Sequence, residues 1–549
     1  MDAKLTDHPL WGGYPRPGEP AAVHSCYYQQ ASNDRDVAQL WAYVDDLSYA
    51  PGTMARLHVN TTASTFDIVV YRDGAKKQTV FQQKQVAGHF HQTPLDCSIN
   101  GCGWPVALEF TIGDNWDSGG YVIELTATAP DGAALHYDHV FLVRPNKGPK
   151  KDRLLLVAAT GTWTAYNDWG GSNHYEGIIG KASDQFSPIL SLDRPYARGF
   201  VKLPADAPRV PLRHAPEMGA PVRYPHMEYA YNNGYSKKYA SAGWASYERD
   251  YVHWLENAGY TVDIIAEQDL QYRPDIISDY SCLTFIGHNE YWSWEMRDTI
   301  DAYVDNGGNI ARFAGNFLWQ IRLQDEGRTQ VCYKYIARAQ DPFYNSDQSR
   351  LTTNCWDAPE IGRPGAKTFG LSGTRGIYAG WGGCNPRGAG GFTIYRPDHW
   401  VFKDCDFYYG DILGAQSKLF GYEVDGVDHI IKDGLPEATG SDGAPDNLLI
   451  LALGLASLYE ADHNNGLPLF IGSEDAEFVA TTLHGKATPD LVDHYKRGSG
   501  MIALFERGRG CVFTAGTCEW GTGLKDGDRQ VEQATKNVLN RFMSTNRQC

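Results

Sequence analysis

Four polar residues fall at the ends of two successive apolar segments. After the apolar residues 283–286 the chain turns at Gly287 into His288, Asn289 and Glu290, and Asn316 closes the next apolar segment along the chain. Because ligands bind outside the carboxyl ends of the strands in an open α/β sheet, we predict a site at these four residues. A histidine beside a carboxylate can hold a metal ion, or act as a general base with its orienting group. The alternative is an ordinary polar loop in which His288 is hydrogen-bonded in place.

Tyrosines could complete an oxygen-rich metal site. Tyr166 lies in a glycine- and aromatic-rich stretch that we predict to be the exit loop of an apolar strand, and Tyr196 follows an Arg-Pro turn. Oxygen ligands suit hard cations, and phenolate oxygen is a good ligand for ferric iron. The chain has 33 tyrosines, so composition does not choose among them. Taken singly, each tyrosine is interpreted as a packed aromatic residue.

The motifs of acyl-enzyme chemistry are missing from the predicted site. Amidotransferase-like domains place a nucleophilic cysteine at a strand-to-helix turn, but here that turn holds His288, Asn289 and Glu290. Cys282 precedes the strand, and the sequence has no G-x-S-x-G motif. We therefore expect neither a cysteine nor a serine nucleophile.

The elements that must position these residues alternate between strand and helix. Apolar segments predict buried strands at 153–159, 261–265, 283–286 and 310–313. A one-sided apolar face predicts a helix over 244–258, and Ser293 can cap a second helix. Strand and helix in such short alternation predict an α/β fold with a doubly wound, mainly parallel, amidotransferase-like sheet.

The rest of this region is less periodic. We assign residues 149–549 to one α/β catalytic domain with long loop insertions at about 325–500. Inside the insertions, residues 420–424 and 478–482 are predicted strands. Residues 501–505 and 510–515 predict a strand pair that could complete the sheet, and an amphipathic helix closes the chain.

The N-terminal part of the chain has the pattern of a β domain. Residues 1–20 are rich in proline and glycine and predict an arm. Residues 21–148 predict a β-sandwich domain, because short strand-like segments recur between turns. These segments are 57–60, 66–71, 107–112, 121–127 and 139–143. The β-sandwich offers no catalytic cluster, and we expect it to serve packing or assembly.

Composition excludes several classes of partner. The net charge is -17 and no Lys/Arg-rich run occurs, so we expect no nucleic-acid partner. No apolar run approaches 18 residues, so we expect no membrane span. The first residues lack the basic and apolar parts of a signal peptide, and the eleven cysteines form no CxxC pair. A cytoplasmic location is therefore expected.

Five motifs follow one another in the order found in one known family. They are 162–171, with Trp-Thr-Ala-Tyr-Asn-Asp-Trp-Gly-Gly; 193–196, Asp-Arg-Pro-Tyr; 251–260; 287–293, Gly-His-Asn-Glu-Tyr-Trp-Ser; and 314–322. Together they resemble the catalytic region of the large (β) subunit of N,N-dimethylformamidase, over roughly residues 150–545. That resemblance implies an amidohydrolase with a mononuclear, non-haem ferric iron, Fe(III), held by two tyrosines and one glutamate.

The resemblance also implies roles for particular residues. Glu290 matches the glutamate ligand, and His288 and Asn316 match the neighbouring polar residues of the pocket. For the two tyrosine ligands we choose Tyr166 and Tyr196, with Tyr175 as the alternative because loop lengths differ. The implied substrate is a small N-alkyl amide such as N,N-dimethylformamide. The implied partners are a small subunit and further copies of the chain in a homo-oligomer.

Two other classes of function are compatible with the sequence. The aromatic residues and the β domain suit a carbohydrate-active or carbohydrate-binding protein, but such an enzyme needs a carboxylate pair and only Glu290 stands out. A non-catalytic, amidotransferase-like scaffold that binds a ligand is the second alternative. Stoichiometric iron in the purified protein would favour the amidohydrolase over both.

Overall fold

A computed structural model gives the architecture of most of the chain. It describes residues 29–177, 186–209, 225–376, 390–421, 423–457, 461–462, 467–468 and 474–544. The predicted arm, residues 1–20, lies outside these ranges. Within them, every helix is too short or too polar to pass through a lipid bilayer.

The N-terminal part of the structure consists of two sheets. Its strands are β1 (Leu40–Val44), β2 (Ser48–Tyr49), β3 (Met54–Thr61), β4 (Thr65–Asp73), β5 (Lys77–Ala87), β6 (Val106–Thr111), β7 (Gly119–Thr128) and β8 (Ala134–Val143). One sheet has the order β1-β3-β6 and the other β2-β8-β7-β4-β5. Phe110 of the first sheet contacts Phe81 and Phe141 of the second, with ring centroids 5.2 and 6.2 Å apart. All five predicted strand segments are confirmed, whereas the sandwich class and its boundary at 148 stay predictions.

The remaining strands lie after residue 150. They are β9 (Leu154–Ala158), β10 (Ile189–Ser191), β11 (Val262–Ala266), β12 (Cys282–His288), β13 (Tyr291–Ser293), β14 (Asn309–Gly315), β15 (Trp319–Gln324), β16 (Thr329–Val331), β17 (Phe392–Ile394), β18 (Ile412–Leu413), β19 (His429–Lys432), β20 (Leu435–Ala438), β21 (Leu449–Ser457), β22 (Ala461–Asp462), β23 (Leu467–Pro468), β24 (Arg497–Arg507) and β25 (Gly510–Ala515). The four predicted buried strands of the α/β region correspond to β9, β11, β12 and β14.

Helices occur in both parts of the chain. The α-helices are α1 (Cys97–Asn100), α2 (Thr160–Tyr166), α3 (Pro225–Asn233), α4 (Glu248–Asn257), α5 (Glu267–Tyr272), α6 (Trp294–Asp305), α7 (Ala337–Gln340), α8 (Ala366–Phe369), α9 (Glu474–His484), α10 (Pro489–Tyr495), α11 (Trp520–Lys525) and α12 (Arg529–Met543). Short 3-10 helices cover Pro274–Asp279, Asp325–Gly327, Lys334–Ile336, Ser349–Leu351, Gly373–Arg375 and Trp400–Phe402. Ser293 caps α6 as predicted, because its hydroxyl accepts the backbone N–H of Met296 at 3.2 Å.

A nine-stranded mixed sheet forms the centre of the second part. Its order is β11-β9-β12-β14-β25-β24-β21-β17-β18. The four pairings from β11 to β25 are parallel, and the four from β25 to β18 are antiparallel. The sheet is therefore half antiparallel rather than mainly parallel, because the β24–β25 hairpin extends it with returning strands. The doubly wound, amidotransferase-like class stays a prediction.

Three local expectations were wrong. The stretch after β9 is helix α2 rather than a loop, and distant side chains supply the hydrogen bonds that its own N-cap, Ala159, cannot make. Residues 478–482 belong to helix α9, where Ala476, Val479 and Ala480 are buried at helical spacing. In the described part of 420–424, only Val424 pairs, through an isolated bridge with Thr517.

Candidate active site

The carboxyl ends of β12 and β14 place His288 and Asn316 beside each other. The two strands pair in parallel, with His288 opposite Gly315. Gly287 has φ 78°, and a Cβ there would lie 2.3 Å from the Tyr247 ring, so only glycine fits this turn. Asn316 also adopts a left-handed conformation, with φ 59°. The turns at both strand ends therefore aim polar side chains into one buried space.

His288 lies between two carboxylates in that space. Its Nε2 is 2.8 Å from Glu423 Oε2 and 3.1 Å from Glu290 Oε2. Its Nδ1 donates to the Ser241 carbonyl at 2.9 Å, which fixes the plane of the ring. Asn316 Nδ2 donates to Glu423 Oε2 at 2.6 Å. Of the predicted residues, His288, Glu290 and Asn316 thus meet here, together with a second glutamate, Glu423.

The charges in this cluster determine its protonation. Burial alone would lower the pKa of His288, but the carboxylates of Glu423 and Glu290 offset burial and raise it to about 10. Burial alone would raise the pKa of Glu290, but His288 and other neighbours lower it below its ordinary value. Burial raises the pKa of Glu423. At neutral pH the cluster therefore holds an imidazolium against an ionised Glu290.

Two tyrosines face Glu290 from the other side. The Tyr175 hydroxyl donates to Glu290 Oε1 and Oε2 at 2.8 and 2.9 Å. The Tyr166 ring lies 4.5 Å from that of Tyr175 and 5.1 Å from that of His288. Burial, together with the charge of Glu290, raises the pKa of Tyr175 well above its ordinary value, so its hydroxyl is a proton donor to the carboxylate.

Asn173 connects the two tyrosines. Its Oδ1 accepts the backbone N–H groups of Tyr175 and Glu176 at 2.8 and 2.9 Å. Its Nδ2 donates to the Tyr166 carbonyl, at the end of α2, at 3.2 Å. The loop after α2 is therefore folded back on the helix, and this places the Tyr175 phenol at Glu290 and beside the ring of Tyr166.

Tyr196 lies elsewhere in the described structure. Its ring contacts Trp163, His139 and Phe200, with centroid distances of 6.3, 5.2 and 6.1 Å. Its carbonyl accepts the hydroxyl of Tyr137 from β8 at 2.8 Å. These contacts belong to the packing between the N-terminal sheets and the α/β region, and none of them is with Glu290. The geometry favours Tyr175, the alternative, over Tyr196 as the partner of Tyr166.

A buried lysine completes the surroundings of Tyr175. Lys334 Nζ lies 3.3 Å from the Tyr175 ring centroid and donates to the Tyr291 hydroxyl at 2.9 Å. The Tyr291 hydroxyl in turn donates to that of Tyr175 at 2.7 Å. Burial lowers the pKa of Lys334 to about 8, although Glu290 acts in the opposite direction. A chain of polar groups therefore runs from Lys334 to Glu290.

A family model described as "N,N-dimethylformamidase beta subunit-like, C-terminal" matches residues 66–536. The match covers most of the chain, including all the site residues described above. The chain belongs to this dimethylformamidase beta subunit-like family. The resemblance inferred from the motifs is thus confirmed at the level of the family.

Two curated members of the dimethylformamidase family are similar to the chain. The N,N-dimethylformamidase beta subunit of Alcaligenes sp is 22% identical over 491 residues, and that of Paracoccus aminophilus is 22% identical over 476 residues. Each alignment covers 83% of this chain and 56% of the relative, so the chain spans little more than half of their length. A sporulation control protein from Bacillus subtilis, Spo0M, covers 20% of this chain at 14% identity with a TM-score of 0.15, which carries no argument.

The donor set suits the ion that the dimethylformamidase resemblance implies. Two phenols and two carboxylates surround His288, and hard oxygen donors of this kind are the ligands that ferric iron accepts. Asn316 turns its Nδ2 toward Glu423, at 2.6 Å, and its Oδ1, which has no hydrogen-bond partner among the described residues, lies on the side of Gly373. Among the described residues, ligand atoms of His288, Glu423 and Cys518 also lie within 4.8 Å of one another. Burial raises the pKa of Cys518 well above its ordinary value, which disfavours a thiolate ligand or nucleophile.

Sequence reasoning missed two residues of this candidate site. Glu423 falls in the weakly periodic region after 325, where its neighbours suggested only a strand. Lys334 has a left-handed backbone, with φ 49°, and carries no local motif. For Tyr175 a signal did exist, because it follows Tyr166 by nine positions, beyond an asparagine that can fold the loop back.

Proposed function

We propose that this chain hydrolyses a small N-alkyl amide, such as N,N-dimethylformamide, to a carboxylate and an amine. The observation that carries the proposal is the convergence of Tyr166, Tyr175 and Glu290 beside His288. The two curated relatives are called N,N-dimethylformamidase, and the chain spans only part of them, so the activity is carried over here as a proposal.

We assign one iron(III) ion to Tyr166, Tyr175 and Glu290. Two phenolates and one carboxylate match its three positive charges. Tyr166 and Glu290 are buried and Tyr175 is partly buried, so protein atoms surround most of the donor set. When bound, the ion would supply Lewis acidity, which polarises an amide carbonyl and makes water a better nucleophile. Binding requires the tyrosines to release their protons, so uptake of the ion should be accompanied by proton release.

His288 is the proposed acid of the reaction. Water adds to the carbonyl carbon, the C–N bond breaks, and the departing nitrogen takes a proton because an amide anion is a very poor leaving group. His288 Nε2 holds a proton between Glu290 and Glu423, and its raised pKa keeps that proton available at neutral pH. The Ser241 carbonyl keeps the ring in the orientation that presents Nε2 to the site.

Glu423 and Asn316 have supporting roles in the same scheme. Glu423 is hydrogen-bonded by both His288 and Asn316, so it can accept the proton that attacking water gives up. Burial raises its pKa, which makes the carboxylate a stronger base. Asn316 Nδ2 donates to Glu423 Oε2 at 2.6 Å, which keeps that carboxylate in position.

The decisive experiment measures iron and turnover on the same purified protein. We expect about one iron per chain, a colour from phenolate-to-iron charge transfer, and release of dimethylamine from N,N-dimethylformamide. Colourless, iron-free protein that retains full activity would remove the iron from the proposal. Iron-loaded protein that hydrolyses no small amide, either alone or together with a small subunit, would remove the reaction.

The assembly of the active protein is also proposed. The relatives are named as beta subunits, which supports a second, smaller kind of subunit, and we propose a homo-oligomer of this chain in the cytoplasm. Native mass measurement of the isolated chain would show whether it forms an oligomer alone. Turnover that the folded, iron-loaded chain lacks alone and gains when the small subunit is added would indicate that the small subunit is required.

A further inference from the structure

Glu267 is a buried carboxyl group outside the proposed ligand set. It is the first residue of α5, directly after β11, and none of it is exposed. Its Oε2 accepts the backbone N–H of Gly161 at 2.9 Å, and its Oε1 accepts Asn289 Nδ2 at 2.5 Å. Gly161 belongs to α2, and Asn289 immediately precedes Glu290. One carboxyl group therefore touches both segments that carry proposed ligands.

The sheet topology explains why this contact is possible. The strands β11, β9 and β12 are adjacent and parallel, so their carboxyl ends meet at one edge. Glu267 follows β11, Gly161 follows β9, and Asn289 follows β12. The side chain of Glu267 thus bridges the ends of three neighbouring strands. Its backbone N–H also donates to Thr160 Oγ1 at 3.1 Å, which adds a second bond to α2.

The segments that Glu267 bridges are joined to each other as well. Thr162 Oγ1 of α2 accepts the backbone N–H of Glu290 at 3.0 Å. A Cβ at Gly161 would lie 2.9 Å from Glu267 Oε2 and 2.7 Å from the Tyr291 carbonyl oxygen, so the close approach depends on glycine. A short buried helix whose N-cap is alanine has no side-chain cap of its own, and Glu267 supplies one of the missing acceptors.

We propose that Glu267 is the positioning residue of this site, a clamp that holds α2 with Tyr166 against the turn with Glu290. It touches neither the substrate nor the proposed ligands, and it acts through Gly161 and Asn289. The purpose of the clamp, which is to position iron ligands, rests on the proposed function. The clamp itself, the joining of α2 to the turn before Glu290, does not depend on that function.

We expect glutamine at position 267 to keep the two hydrogen bonds of the clamp and alanine to lose them. Burial raises the pKa of Glu267 well above its ordinary value, which favours the neutral acid, and glutamine has nearly the shape of that acid and no charge. Asn289 Oδ1 is buried and has no hydrogen-bond partner among the described residues, so the Asn289 amide can turn over and accept from the new amide group. Alanine removes both acceptors and leaves buried N–H groups unpaired.

Asp269 provides a matched control on the same helix. Its carboxyl group is also fully buried, and it accepts the backbone N–H of Ala266 at 3.0 Å and the Ser48 hydroxyl at 2.6 Å. It also pairs with Arg273 at 2.8 Å. None of these partners lies on α2 or on the turn before Glu290, so Asp269→Ala tests the loss of a buried carboxyl group without loss of the clamp.

The experiment is hydrogen–deuterium exchange on the full chain, as purified and after chelation, with iron per chain measured alongside. We expect Glu267→Ala to speed exchange about tenfold or more in both 159–167 and 287–293 and to lower iron content. Glu267→Gln should restore both towards wild type, and Asp269→Ala should change neither segment. Asn289→Ala should loosen 287–293 alone, because the bond to Gly161 remains.

Several outcomes would overturn the clamp. In the first, Glu267→Ala exchanges no faster in 159–167 and 287–293 than the control Asp269→Ala does. In the second, Glu267→Gln exchanges as fast in these segments as Glu267→Ala. If Glu267→Ala does not fold, Asn289→Ala still decides, since unchanged protection of 287–293 contradicts the bridge. Wild-type protein without iron or amide hydrolysis would refute the proposed function, whereas exchange in the chelated protein tests the clamp independently.

Discussion

The hydroxyl of Tyr175 donates to both carboxylate oxygens of Glu290, at 2.8 and 2.9 Å. One residue belongs to the loop after α2 and the other to the end of β12, so this contact joins the two segments at the centre of the site. Because the same carboxylate lies 3.1 Å from His288, it links the tyrosines to the acid–base group. A cation at this point would replace the phenol proton that now bridges the pair.

Tyr175→Phe should separate the two assignments of the second tyrosine ligand. Phenylalanine keeps the ring and its packing on Tyr166 but removes the oxygen, so we expect loss of most iron, of the charge-transfer band and of amide hydrolysis. Tyr196→Phe is the matched control, because Tyr196 packs against His139 and should affect stability only. Absorbance and iron per chain measure both variants.

The opposite pattern would restore the first choice made from sequence. Iron retained in Tyr175→Phe but lost in Tyr196→Phe would mean that the loop after α2 rearranges when the ion binds. If both variants keep their iron, neither Tyr175 nor Tyr196 is a ligand, and Tyr166 is the tyrosine that remains to be tested.

Glu290→Gln should lose iron without losing the fold. Glutamine keeps nearly the shape and volume of glutamate but cannot offset the charge of iron(III), so we expect little iron and nearly no hydrolysis at an almost unchanged melting temperature. Glu519→Gln is the control, since Glu519 is equally buried and pairs with Arg209 at 3.3 Å. Near-stoichiometric iron and normal turnover in Glu290→Gln would sink the proposed function.

The periodic parts of the fold could be predicted from the sequence. Continuous apolar segments gave β9, β11, β12 and β14, and alternation gave the N-terminal strands, because burial on a sheet requires those patterns. Helix α2 could not be predicted in the same way, since its N-terminal N–H groups are satisfied by carboxyl groups from β11's end and from α4. Capping across the fold leaves no local signal.

Some residues of the candidate site could likewise be predicted from the sequence, and others could not. His288, Glu290 and Asn316 stand at strand ends, and strand ends are visible as the points where apolar runs stop. Glu423 reaches the site because its backbone passes the end of β14, where a Cβ at Gly315 would lie 2.6 Å from its carbonyl oxygen. Such long-range contacts depend on the packing of an aperiodic segment, which the sequence pattern does not encode.

His288→Ala should retain iron and lose turnover. The imidazole is assigned to proton transfer rather than to the ion, and general acid–base help is typically worth about 10²–10⁴-fold in rate. We therefore expect near-normal iron and charge-transfer absorbance with kcat lowered by about that factor. Loss of iron together with activity would make His288 a metal ligand. The structure also allows that role, because ligand atoms of His288, Glu423 and Cys518 lie within 4.8 Å of one another.

Glu248 should make stability depend on pH. This buried glutamate accepts the backbone N–H of Ala159 at 3.0 Å and the indole N–H of Trp163 at 3.1 Å, and in the described part of the chain nothing hydrogen-bonds to its Oε2. Burial raises its pKa from the usual 4.5 to about 8. The folded state therefore binds this proton more tightly than the unfolded state does. The resulting stabilisation is fully present below pH 4.5 and is lost as the pH rises through 8.

Glu248→Gln tests this sign directly. The amide cannot titrate, so between pH 4.5 and 8 the free energy of unfolding of the variant should fall less steeply than that of wild type. The difference in slope should approach about 1.4 kcal/mol per pH unit, the value for one proton. Urea unfolding of both proteins at pH 5, 6, 7 and 8, after chelation, gives the two slopes. Parallel slopes would mean that Glu248 is ionised in the folded protein, and a steeper slope in the variant would reverse the sign and contradict the buried, protonated acid.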